Sequence, residues 1–201
     1  MRVKNWMTRS APIIREDSNV GEALKVMNLY GVRELAVVNE EGQYMGVLNK
    51  EDIIKQQPEK GIKDFLVFGE LFLHPEDTIE AVFLAFMETS EEFVPVVDED
   101  LKVVGMITLQ DVIESMIEIT AMDEPGCRIS LLLEDMPGKL SNAVKVLSEN
   151  GFNILSILTY REEENKRRVV IKVSAPDCES VEEVLVKSNI EYDSLIKEEG
   201  F

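Results

Sequence analysis

VGEALKVM (Val20–Met27) and, 59 residues later, IEAVFLAF (Ile79–Phe86) decide the fold of this 201-residue chain. Val20, Ala23, Leu24 and Met27 stand at i, i+3, i+4 and i+7, the apolar stripe of an amphipathic helix. The same offset carries them onto Ile79, Val82, Phe83 and Phe86. Working outward, Leu35, Val37 and Val38 become Val94, Val96 and Val97, each in a short β-branched run that reads as a strand. Acidic turns follow in both copies, Asn39 to Gly42 and Asp98 to Asp100. Gly46-Val47-Leu48 becomes Gly105-Met106-Ile107, and Asp52-Ile53 becomes Asp111-Val112. Each copy therefore reads strand, helix, strand, turn, strand, helix, and two such halves facing each other bury what neither buries alone.

The helix starts agree. Asn19 and Thr78 are N-cap residues, and Glu22 stands where a capping-box carboxylate reaches back. Gly31 is placed to end the first helix, and Ser90 holds the equivalent position in the second copy. Gln56 to Gly61, with Pro58, is a polar break between copies. After Ile119 the period is lost, and Asp123 to Gly126 reads as a linker. Beyond it the pattern predicts strand Arg128–Leu133, a helix through Leu140, Ala143, Val144 and Leu147, and strand Ile154–Tyr160. A charged hairpin turn (Arg161 to Lys166) leads to strand Arg168–Val173, then helix Ser180–Lys187 and strand Tyr192–Ile196. That order, βαββαβ, is the ferredoxin-like arrangement. The fold class is α/β (α+β), with expected divisions at residues 1–57, 58–122 and 126–201.

Composition narrows the function. Lys and Arg number 21 against 39 Asp and Glu, a formal net charge of -18, of which residues 125–201 carry only -4. Such a field opposes nucleic acid and anionic membrane surfaces as partners, since both are bound through clustered Lys and Arg. No apolar run reaches the roughly 18 residues of a membrane span, and the N-terminal stretch does not read as a secretory signal. A cytoplasmic protein is expected. Cys127 and Cys178 read as two inert thiols in a reducing compartment. His74 is the sole histidine, so neither a metal cluster nor a nucleophile–base pair can be assembled on it. No catalytic residue and no metal site is expected, and the chain does not read as an enzyme.

The repeat resembles a tandem pair of CBS domains, the Bateman module. The marks are Met7-Thr8, LAVVNEEG and GVLNKED in the first copy, and VPVVDED and GMITLQD in the second. The remainder resembles an ACT domain through EDMPGKL (Glu134–Leu140) and GFNI (Gly151–Ile154). The domain order is similar to that of the acetoin-utilisation B type of protein. The resemblance implies clefts between the CBS copies that hold an adenosine-containing ligand: AMP, ADP, ATP or S-adenosylmethionine, as a regulatory ligand and not a required cofactor. The family's ribose-gripping signature is Gly, two apolar residues, Thr or Ser, two variable residues, then Asp. Gly105, Thr108 and Asp111 match it in full; in the first copy Asn49 replaces the Thr while Asp52 remains. An ionised Asp accepts hydrogen bonds from both ribose hydroxyls, and either Asp could equally serve as a helix cap. Thr8, Arg9 and Arg33 belong to segments that face the cleft in the family, as do Arg15 and Lys50. Pro12, Ile13, Leu35, Leu73 and Val94 are candidate adenine walls or ordinary core.

For the ACT part the resemblance implies pairing with a second copy and, in many members, a small amino acid at the interface. Asp135, Met136, Pro137, Gly138, Lys139 and Leu140 form the loop whose amides would receive its carboxylate, and Asn153 with Ile154 would complete the site. The expected function is that of a ligand-sensing regulatory homodimer that signals to an unknown partner protein. The alternative is a structural dimerisation module with no bound small molecule.

Overall fold

The computed structural model describes residues 1–67, 71–88 and 93–200; Ser90 lies outside them. The chain forms two compact units, Met1–Ser115 and Met116–Phe201.

In the first unit, β1 (Ile13–Arg15), α1 (Val20–Tyr30), β2 (Glu34–Val38), β3 (Tyr44–Asn49) and α2 (Lys50–Ile53) make the first copy. The second contains α3 (Ile79–Glu88), β4 (Phe93–Val97), β5 (Val103–Thr108) and the start of α4 (Leu109–Ile119). Adding 59 to β2 and β3 gives β4 and β5 residue for residue, and the bulge between Val37 and Val38 recurs between Val96 and Val97. The expected capping box forms: the Asn19 side chain accepts from the Glu22 amide, the Glu22 carboxylate from the Asn19 amide, and Gly31 ends α1 at φ 68°.

β1 runs parallel to β2 and β2 antiparallel to β3. In the second copy β4 and β5 are antiparallel, and Leu73 bridges Val96 in parallel, the offset equivalent of Ile14 on Val37. Leu35, Val37 and Leu48 enter a core with Ala23, Met27 and Ile53. The opposite face of the same strands, Ala36 and Val47, packs with Phe93, Val97 and Met106 in a core shared by both copies.

The copies also exchange backbone. Arg2 bridges Thr78 and Thr8 bridges Met106, while Asn19 bridges Gly61 and Val47 bridges Val67. These are two pairs related by the same 59-residue offset, so the segment preceding each copy completes the other. The Gln43–Lys102 bridge maps onto itself under that offset and marks the pseudo-two-fold axis.

The second unit is built on β6 (Gly126–Glu134), α5 (Lys139–Glu149), β7 (Asn153–Glu163), β8 (Lys166–Ser174), α6 (Glu179–Lys187) and β9 (Ser194–Glu198), in the sheet order β7-β8-β6-β9. All its pairings are antiparallel, and one face packs on Ala143, Leu147, Val181 and Leu185 of the helices. The strands of the β7–β8 hairpin run further than the apolar pattern, leaving a turn at Glu164-Asn165. β9 lies two residues later than expected because Glu198 anchors it: its carboxylate takes a double hydrogen bond from Arg128 (2.5 and 3.0 Å) and a contact from Lys172 Nζ at 2.6 Å.

Cys127 and Cys178 are joined in a disulfide, which corrects the expectation of two separate thiols. Cys127 is buried in β6 and Cys178 caps α6, so strand and helix packing brings their Cα atoms to 5.4 Å, inside the range a bridge needs. The turn after α4 groups with this unit: the Ser156 hydroxyl donates to Thr120 O (2.9 Å) and Lys172 Nζ to Ala121 O (2.6 Å).

Candidate functional site

Thr108 ends β5 and caps α4. The Thr108 amide and hydroxyl both donate to Asp111 Oδ2 at 2.7 Å, and the Asp111 amide returns a bond to Thr108 Oγ1 at 3.2 Å. The cap is therefore Thr108, and Asp111 is its reciprocal carboxylate one turn in. This fixes the Asp111 side chain and engages only Oδ2; Oδ1 makes no hydrogen bond among the described residues. Both residues are half-buried.

The exchanged N-terminal segment brings Thr8 and Arg9 to this motif. Thr8 and Met106 trade backbone hydrogen bonds, each 2.9 Å. Met106 lies two residues before Thr108, on the same face of β5. Gly105 permits the approach: a Cβ there would stand 2.7 Å from Thr8 O and 3.5 Å from Arg9 Cα. The signature glycine is thus explained by backbone against backbone. Arg9 is exposed and has no ion pair among the described residues, whereas Arg15 is paired with Asp17, Arg33 with Glu51, and Lys50 donates to Asn28.

In the first copy the same positions are built differently. Asn49 caps α2 without a side-chain hydrogen bond, and Asp52 is exposed. The exchanged residue here is Val67, paired with Val47. Opposite Asn49 across the ladder stands Glu34, 6% exposed. Sequence reasoning missed it, although the offset aligns it with Phe93 and so flags a charge where the repeat has an aromatic.

The adenine-wall candidates need correction. Leu35 and Val94 are fully buried, and Pro12 and Leu73 nearly so, because the alternation of β2 and β4 turns Leu35 and Val94 into the interior of each copy. They offer a ligand no surface. Of the five, Ile13 does, at 46% exposed.

In the second unit Gly138 adopts φ 91° and serves as the N-cap of α5, a conformation that glycine takes without cost. Lys139 pairs with Glu134 at 2.6 Å and holds that carboxyl below its usual range. Asp135 is engaged by Arg167 (3.1 Å) and Arg161 (3.8 Å). A recess of about 520 Å³ opens beside this turn, between Glu134, Gly138, Lys139 and Asn142 on one side and Asn189 to Glu191 on the other. Met136 and Leu140 line a second recess of about 200 Å³, with Thr159 and Arg167. Asn153 and Ile154 do not join them. Asn153 pairs with Ser174 at one end of β8, while Glu134 pairs with Lys166 at the other. Eight strand steps, roughly 27 Å, separate the two parts within one chain.

Among the described residues, no group of three or more His, Cys, Asp or Glu could hold a metal ion. Nor, among the described residues, is any helix long and apolar enough to cross a membrane.

Known proteins were compared with this chain. The CBS domain model matches residues 3–59 and 63–118, and the TTHA0829-like ACT domain model matches residues 125–192. An uncharacterised protein of Methanocaldococcus jannaschii is 26% identical over 156 residues, which cover 77% of this chain and 53% of that protein. The chain thus spans about half the length of that relative. A solved CBS domain pair/ACT domain protein from Thermotoga maritima is 36% identical, with a TM-score of 0.56, and the match covers 59% of this chain and 98% of that one. The CBS domain pair of another M. jannaschii protein, solved with 5′-methylthioadenosine and S-adenosyl-L-methionine, is 24% identical with a TM-score of 0.52, covering 58% of this chain and 95% of that one. That last likeness shows the fold.

Proposed function

The chain belongs to the CBS domain family, with two copies followed by an ACT domain, and from that premise we propose that it is a non-catalytic regulatory protein that senses an adenosine-containing ligand and signals to a partner protein. CBS pairs and ACT domains are regulatory ligand-binding modules. One observation carries the reading for this chain: the backbone exchange puts Thr8 and Arg9 against the strand that leads into the Thr108–Asp111 box. A carboxylate with one oxygen locked by its own cap and the other outside those bonds suits a ribose diol, and Arg9 suits a phosphate. The neighbour holding 5′-methylthioadenosine and S-adenosylmethionine supports the ligand class. Such a ligand regulates only if it binds one arrangement of the module better than another.

For the ACT domain the proposed ligand is a small amino acid seated at the Pro137–Gly138 turn. With Asn153 at the far end of the sheet, a site using both needs two chains, in keeping with a homodimer.

The thermal midpoint against AMP, ADP, ATP with magnesium and S-adenosylmethionine tests the reading. A ligand at 100 times its dissociation constant adds about 2.7 kcal/mol, a shift on the order of 5–10 °C for a chain of this size. Asp111→Asn keeps an acceptor for the Thr108 cap while removing the charge, and should lose the shift. Absence of any shift at millimolar ligand would refute the sensor and favour a dimerisation module. Trp6, the sole tryptophan, sits two residues before Thr8 and gives an independent fluorescence readout.

A further inference from the structure

The two copies share a fold but not a surface. Residues 3–59 carry nine acids and seven bases, whereas residues 63–118 carry 14 acids and two bases, Lys63 and Lys102. The 59-residue offset shows what stands where the lysines were: Lys25, Lys50 and Lys55 become Leu84, Leu109 and Glu114, and Asn28 becomes Met87. In the first copy Lys50 Nζ donates to Asn28 Oδ1 at 2.9 Å, joining the start of α2 to the outer side of α1. Leu109 and Met87 hold the same two positions, at the start of α4 and on α3. Neither side chain can make that bond, and they are 54% and 82% exposed. Leu84, one turn before Met87, and Ile113, one turn after Leu109, extend the strip, and both are exposed.

We infer that the strip of Leu84, Met87, Leu109 and Ile113 docks an amphipathic helix of the partner protein, one whose apolar stripe is flanked by Lys and Arg. This rests on the sensor reading, which needs a partner, and says where that partner binds. Four large apolar side chains grouped on two helices go beyond the scattered single residues that any surface carries. Charge chooses the occupant. α3 and α4 contain no Lys or Arg. Glu80 and Glu88 stand one turn either side of Leu84, and Glu114 adjoins Ile113; all three are exposed. A second copy of this chain is a poor match, because residues 3–59, 63–118 and 125–201 are each net negative and like charges oppose docking. A basic helix meets these acids with its flanks and the apolar strip with its stripe, the helix-in-groove mode of recognition, and Met87 adapts to the side chains it meets. Asp111 lies between Leu109 and Ile113 in α4, so the proposed ligand and the partner act on the same two turns of helix.

Calorimetric titration of the full chain with two synthetic helical peptides of about 14 residues, four turns each, tests this. Both carry Leu at helical spacing; the remaining positions are Lys in one and Glu in the other. The Leu/Lys peptide is expected to bind one per chain, and the Leu/Glu peptide not at all. Leu84→Gln with Leu109→Gln leaves every charge in place and should weaken the Leu/Lys peptide by about tenfold or more, as should Met87→Gln with Ile113→Gln. Leu29→Gln with Ile54→Gln, exposed residues of the first copy, should leave it unchanged. Equal binding to parent and to strip variants that melt as the parent does would mean attraction to diffuse charge alone, and would overturn the inference. So would uptake of the Leu/Glu peptide, or a dimer in sedimentation that the strip variants abolish, which would give the face to a second copy. Each of these results leaves the thermal-shift test of the sensor untouched, so the two readings fail separately.

Discussion

Reducing the Cys127–Cys178 bridge should destabilise the C-terminal unit by about 4 kcal/mol. The two cysteines are 51 residues apart, so the bond closes a large loop in the unfolded chain. The chain-entropy relation for a loop of this length gives close to 14 cal/mol/K, or about 4 kcal/mol at 25 °C. Both half-cystines sit at packed positions, Cys127 within the sheet face that meets the helices and Cys178 against the same core, so the folded state retains its contacts after reduction. For a unit of this size each kcal/mol is worth about 4–8 °C, and the unit's transition should fall by roughly 15–30 °C. The assay is scanning calorimetry with and without a phosphine reductant, with thiols counted by alkylation and mass spectrometry before and after. Two alkylated thiols in protein never exposed to reductant would refute the bridge. A transition that moves by less than about 5 °C after complete reduction would refute the entropic argument, and Cys127→Ala with Cys178→Ala should reproduce the reduced behaviour.

Other perturbations have equally definite outcomes. Hydrogen bonds from Arg128, then Lys172, hold the Glu198 carboxyl below its ordinary value of 4.5. Its contribution is full above that value and is lost as pH falls through the lower folded one. Wild type should therefore melt above Glu198→Gln at pH 6, with the curves converging toward pH 3; a gap constant across that range would contradict the assignment. Glu198→Ala, which strands the fully buried Lys172 ammonium, should cost about 3–5 kcal/mol by denaturant titration. Gly105→Ala forces a methyl to within 2.7 Å of Thr8 O and should cost about 1–3 kcal/mol, with a red shift of Trp6 emission as the exchanged segment lifts; unchanged emission would speak against the close approach. Asn19→Ala removes half of the capping box and should cost about 1 kcal/mol in the urea midpoint.

The repeat was the legible part because two periodicities coincide in it. Helical spacing set α1 and α3, β-branched runs set β2 and β4, and in the structure the constant offset extends even to the bulge that both copies share. The βαββαβ order of the second unit was legible for the same reason. What failed was whatever depends on contacts between distant segments. A cysteine pair in a charge-rich chain has no spacing signal for a bridge. The placement of β9 follows an ion pair, not an apolar pattern. Leu35 and Val94 lie at strand starts, where a ligand wall and a core residue have the same sequence pattern, and only the register separates them.

The backbone exchange has the largest consequence for function. A sequence repeat invites the assumption that each copy carries its own site, and by that count the Thr8 and Asp52 of the first copy belong together. The bridges put Thr8 on Met106, in the strand that leads to Asp111, and Val67 on Val47, in the strand that leads to Asp52. The exchange thus brings a hydroxyl residue to the strand of the complete signature and a valine to the strand of the degenerate one. On the function proposed above, neither copy alone contains the site at Thr108 and Asp111. A ligand bound there as proposed would touch both copies at once, and it would regulate only where two arrangements of the copies bind it differently.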